Sequence, residues 1–179
     1  MIVTTSFSFC HSIEVDGKTW MNKETNSYML YKNLKTYNKG VDSKSLHIED
    51  CNFINVKLKI LAKNISFVTS SFKNSSLLTY GNGTSVKFCQ SIWSAKQGSE
   101  IVISHYKILV FWKCLFHNFG SRNNKPIMLL YDIENIFVVF CSFVNISGSM
   151  MTVNKNLMVH FRKSLVKNVS SIESSYDLH

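Results

Sequence analysis

Two stretches decide how this chain is read: Leu46-His47-Ile48-Glu49-Asp50-Cys51-Asn52-Phe53-Ile54-Asn55 and Ile65-Ser66-Phe67-Val68-Thr69-Ser70-Ser71-Phe72-Lys73-Asn74. Laid over each other they share one pattern. Apolar residues stand at the first and third places, a small Cys or Ser at the sixth, an aromatic at the eighth and Asn at the tenth. Val86, Phe88, Ser91 and Trp93 follow it, with Ala95 in place of the Asn. So do Leu109, Phe111, Cys114, Phe116 and Asn118, then Ile136, Val138, Cys141, Phe143 and Asn145, and finally Val159, Phe161, Ser164, Val166 and Asn168. A degenerate copy opens the chain at Phe7, Phe9 and Ser12, and a weak one lies at Tyr28, Leu30 and Asn33. A period of this size is the signature of a solenoid.

Alternation of apolar residues marks a strand with one buried face. The small Cys or Ser sits where the chain bends, the next aromatic re-enters the core, and Asn closes the corner because it tolerates unusual dihedrals. Each copy is followed by a second apolar run: Leu58 to Leu61, Leu77 to Tyr80, Ile101 to Ile103, Ile127 to Tyr131 and Met150 to Val153. The connection from that run to the next copy is short (Gly81-Asn82-Gly83, Asn154-Lys155-Asn156), whereas the corner before it varies and is longest at Asn118–Pro126. Strands of this kind, joined by one fixed and one variable corner, predict an all-β, single-stranded right-handed parallel β-helix of about eight rungs. A leucine-rich horseshoe shares part of the strand motif but needs a helical return, and the returns here are too short and too rich in Ser, Thr, Ile and Val.

The Cys51-Asn52-Phe53-Ile54-Asn55, Ser70-Ser71-Phe72-Lys73-Asn74 and Cys141-Ser142-Phe143-Val144-Asn145 pentads resemble the repeats of the pectin-lyase-like superfamily. They are most similar in feel to repetitive surface β-helix proteins of protozoa and to bacterial polymorphic outer-membrane proteins. The Gly-Gly-Ala-Ile segment frequent in those surface families is absent. The resemblance implies architecture and says little of function. It gives one domain over residues 1–179, with irregular N-terminal rungs or a cap at 1–45, regular rungs at 46–170 and a polar tail at 171–179.

The net charge of +9 points towards polyanions. Lysines nevertheless outnumber the two arginines, Arg122 and Arg162, and are spread along the chain, so no specific nucleic-acid site is evident. Met1 to Cys10 has neither a basic n-region nor a long apolar run, so no targeting segment is expected from it. The charge-free stretch 136–154 carries Asn145, Ser147, Gly148 and Ser149 in an alternating pattern, which argues against a membrane helix. With no evident capping helix, a fragment of a longer chain or an oligomer is also in view.

Five cysteines raise the question of disulfides or a metal. Cys51, Cys114 and Cys141 occupy a slot that Ser also fills, and Cys10 and Cys89 lie two residues before it, so all five read as small core residues. No metal spacing is present and no cofactor is expected. The close carboxylate pairs, Glu49-Asp50 and Asp132/Glu134, read as solvated, and His47 and His160 as surface residues. No nucleophile with a base is recognisable, and catalytic residues are therefore not assigned.

The protruding corner carries the binding candidates His117, Phe119, Arg122 and Lys125, chemistry suited to a glycan or another protein surface. Five Asn-x-Ser/Thr sequons, at Asn64, Asn74, Asn82, Asn145 and Asn168, permit glycosylation. The expectation is a non-catalytic structural or adhesive module of a cell-surface or secreted protein, found at the cell surface or outside the cell. The alternative is a divergent or degenerate polysaccharide-active enzyme, with Asp132, Glu134 and His117 as its test positions.

Overall fold

In the computed structural model the copies of the repeat stack in register, place on place. Leu46, Ile65, Val86, Leu109, Ile136 and Val159 form one column of paired residues. Ile48, Phe67, Phe88, Phe111, Val138 and Phe161 form a second. Phe53, Phe72, Trp93, Phe116, Phe143 and Val166 form a third, on the next strand of each turn. All these pairings are parallel. The structure describes residues 3–4, 7–15, 18–21, 45–55, 57–60, 62–95, 99–120, 126–154 and 158–171.

The chain is thus a parallel β-solenoid of about five turns. The second apolar runs supply its third side, where Leu58, Leu77, Ile101, Met128 and Met151 stack. The expected eight rungs are corrected to five. The weak copy at 28–33 lies outside the described residues. The copy at 7–12 belongs to the strand Phe7–Val15, which runs antiparallel to Ser45–Ile54 and pairs in turn with Lys18–Met21. Alternation satisfies a buried face whichever way a strand runs, so the pattern alone does not distinguish a rung from a strand that reverses over the first one.

The core is an aromatic zipper. Phe67, Phe88 and Phe111 are stacked at 5.1 Å centroid spacing. Phe53, Phe72, Trp93, Phe116 and Phe143 form a parallel stack on the adjoining side. The two stacks meet edge to face, as at Phe67–Phe72 (5.3 Å, 76°) and Phe111–Phe116 (5.4 Å, 84°). Offset stacking along the axis and edge contacts across it both suit the ring quadrupole. Each fully buried ring contributes about 1.5–3 kcal/mol by transfer alone.

The corners explain the other repeat places. The residue before each Cys or Ser has a left-handed backbone: Asp50, Thr69, Gln90, Lys113, Phe140 and Lys163 all lie between φ 46 and 54. Inside the bend, the small side chain donates to a nearby carbonyl. Ser70 Oγ bonds Val68 O at 3.0 Å, Cys114 Sγ bonds Phe88 O at 3.3 Å and Cys141 Sγ bonds Phe111 O at 3.3 Å. A small donor is therefore what the slot requires, and thiol and hydroxyl both serve. The corner asparagines Asn55, Asn74, Asn118, Asn145 and Asn168 also have positive φ.

One cysteine departs from the small-core reading. Cys51 is disulfide-bonded, whereas Cys89, Cys114 and Cys141 are free. Antiparallel pairing of the N-terminal strand sets Cys10 opposite Cys51 in the backbone register. Parallel stacking of that N-terminal copy as a further rung would have set Cys10 opposite Glu49 instead.

Candidate functional site

Solenoids bind through what their corners and outer faces display, because the interior is filled. The second corner carries the most organised polar array. Asn145 Nδ2 donates to Asn118 Oδ1 at 3.4 Å, and Asn168 Nδ2 donates to Asn145 Oδ1 at 3.0 Å. The ladder follows from the fold: asparagine takes the left-handed corner, and the stacked turns then hold like amides one above another. An amide has two donors and two acceptor sites, so each rung of the ladder keeps hydrogen-bonding capacity towards solvent.

Beside the ladder runs a shallow open groove of about 550 Å³, lined by Asn118, Phe119, Gly120, Asn145, Ile146, Ser147 and Asn168. Ser147 Oγ donates to Phe119 O at 3.2 Å, closing its floor. His117 stands at one margin, its Nδ1 3.0 Å from Asn118 Nδ2. The expected binding residues are thus divided. His117 adjoins the groove. Phe119 is 3% exposed and packs in the core, so the expectation of an aromatic offered by the loop is corrected. Arg122 and Lys125 lie outside the described residues.

The sequon asparagines are also placed. Asn64, Asn145 and Asn168 are exposed and Asn74 is half-buried, while the side chain of Asn82 lies outside the described residues. In Asn145 and Asn168 the amide nitrogen, the atom a glycan would be joined to, already donates within the ladder.

A second polar contact was missed at the sequence level. His105 Nε2 lies 3.1 Å from Asp132 Oδ2 on the third corner, where both residues have positive φ. The signal was present: His105 and Asp132 are 27 positions apart, the same step that separates Cys114 from Cys141. Asp132 is thus joined by His105. Glu134 is exposed, and His117 stands on the second corner. Among the described residues no group of three His, Cys, Asp or Glu side chains is placed to hold a metal ion. No helix among them is long and apolar enough to cross a membrane.

These features define the class of protein: a parallel β-solenoid with a polar, amide-lined corner. No protein-family model, curated protein or solved structure matches the sequence.

Proposed function

We propose that the chain is a non-catalytic structural or adhesive β-helix module, part of a cell-surface or secreted protein, that binds glycan at the asparagine corner. The carrying observation is the Asn118–Asn145–Asn168 amide ladder beside an open groove. Sugars present hydroxyls at regular spacing, and preordered amides offer donors and acceptors to meet them with little ordering cost on the protein side. The finer relationship, to pectin-lyase-like surface proteins, rests on the repeat pentads and the solenoid geometry.

The test is a glycan array probed with the whole chain, beside the Asn145→Asp variant. Aspartate keeps the left-handed corner and an acceptor oxygen but removes the amide donor. The expected result is binding that falls about tenfold in the variant, the loss of one or two good hydrogen bonds. Equal binding by both chains would remove the ladder as the site.

The alternative of a divergent polysaccharide-active enzyme has one observation in its favour, the His105–Asp132 pair, which joins a base to an orienting carboxylate. Loss of acidic polymer that disappears in a His105→Gln chain would turn the assignment to this reading.

A further inference from the structure

Lys113 and the Arg162-Lys163 pair, far apart in the sequence, gather when the turns are stacked. The first-corner column runs Asp50, Thr69, Gln90, Lys113, Phe140 and Lys163, all exposed and all at positive φ. The column beside it is Glu49, Val68, Cys89, Trp112, Val139 and Arg162. The first turn therefore presents two carboxylates here, and the last three present Lys113, Arg162 and Lys163 set around Trp112 and Phe140. The corner backbone is fixed by Lys113 N donating to Val139 O and Phe140 N to Arg162 O, both at 2.9 Å.

The cations rest on the rings. Lys113 Nζ lies 4.5 Å from the Trp112 ring centroid, and Lys163 Nζ lies 5.6 Å from that of Phe140. Trp112 is 36% exposed and Phe140 46%, so both ammonium groups face solvent on an apolar bed. Among the described residues the ion pairs are His47–Glu49 and His105–Asp132, and neither involves these cations. With turns about 4.8 Å apart, Lys113 and Lys163 stand about 10 Å apart along the axis.

We infer that this corner of the last three turns is a binding site for an acidic glycan, whose anionic groups are met by Lys113, Arg162 and Lys163. The inference rests on the glycan-binding reading and adds the ligand's charge and a second contact surface. A cation held over a ring without a carboxylate is a positioned point charge, suited to single sulfate or carboxylate groups strung along a polymer. Single-stranded nucleic acid fits less well, because the ring faces that bases would stack on are already covered by the ammonium groups.

The test uses the whole chain and four probes: a sulfated glycosaminoglycan octasaccharide, a carboxylate-only hyaluronan octasaccharide, a neutral chitin oligomer and an oligo-thymidine strand. The triple variant Lys113→Gln/Arg162→Gln/Lys163→Gln is compared with Lys57→Gln/Lys63→Gln/Lys73→Gln, which removes the same charge from exposed positions in the early turns. Binding of either acidic sugar supports the inference, and the one preferred names the anionic group. The first variant should weaken it at least tenfold and the second less than about twofold, the difference between a site and a diffuse field. Equal weakening by both variants, or tighter binding of oligo-thymidine, overturns the inference. Neutral sugar bound with no acidic preference overturns it too but leaves the glycan-binding module standing. If no sugar binds, both fall.

Discussion

A single place in the repeat, held by Cys or Ser, carries a chemical consequence that its packing role conceals. At Cys114 the thiol is turned inward and donates to Phe88 O, and its neighbour in the stack is Cys141. Hydrogen bonding to Cys141 and burial together push the Cys114 thiol far above its ordinary value of 9.0. Burial also raises Cys89, against a lesser opposing effect of Lys87. The sign of the linkage is fixed by this direction. Below pH 9 folded and unfolded chains both keep the Cys114 and Cys89 protons, so these two thiols add no pH dependence there. Cys141, lowered by its bond to Cys114, runs the other way and loses its proton first in the folded chain. Above pH 9 the unfolded chain releases the Cys114 and Cys89 protons that the folded chain retains, and stability falls. Cys114, raised furthest, should contribute a slope of about 1.4 kcal/mol per pH unit. Urea unfolding followed from pH 8 to pH 10.5 measures it. Cys114→Ser, which suits the slot but does not ionise, should remove that residue's share of the slope. An unchanged slope would mean that the thiol is not held protonated.

At the scale of the strand, the contact between Gly83 and Tyr106 ties separate turns together. Tyr106 Oη lies 2.8 Å from Thr79 Oγ1 and donates to Ala62 O at 2.8 Å, which pins the ring. A Cβ on Gly83 would fall 2.0 Å from Tyr106 Cε1. Gly83→Ala should therefore destabilise by about 3 kcal/mol, at the upper end for overpacking. In a Gly83→Ala/Tyr106→Leu double variant the two losses should sum to less than their separate values, because the clash is gone. Strict additivity in denaturant titrations would show that the glycine is not there for the ring.

The sequence presents Gly81-Asn82-Gly83 as a short connection to the next copy, yet the strand runs unbroken from Ser76 to Cys89, and the second glycine answers to a ring more than twenty residues on. Repeat places were legible because parallel stacking puts each beside its own copy, so Leu46 to Val159 and Phe53 to Val166 fell into columns as aligned. Phe119 was not. The left-handed Asn118 shifts the alternation by one, turning the next residue inward, where it pairs with Ile146 and then Val169. An apolar residue directly after four of the five corner asparagines, at Val56, Phe119, Ile146 and Val169 (Ser75 follows Asn74), was the available sign.

For the molecule as a whole, the two ends of the solenoid differ. At the first turn, Ser45–Ile54 is covered by the antiparallel strand Phe7–Val15. At the last, the core places Phe161 and Val166 are 43% and 41% exposed, and Met158 is 63% exposed. In a solenoid each turn is stabilised chiefly by its neighbours, so an end turn opens before a middle one. The Cys51 disulfide decides how far that applies at the first end. If its bond is to Cys10, as the register predicts, it closes a loop of about 40 residues and stabilises by about 4 kcal/mol in the chain-entropy account. Peptide mapping without reductant should recover a Cys10–Cys51 linked pair, with the buried Cys114 and Cys141 alkylated only after unfolding and the half-buried Cys89 before them. Hydrogen exchange with and without reductant then gives the energetic answer. Reduction should expose the amides of Ser45–Ile54 while those of Ile101–Trp112, in the middle of the stack, keep their protection. Uniform loss along the chain would instead mean that the five turns unfold as one unit and that the first turn nucleates them all.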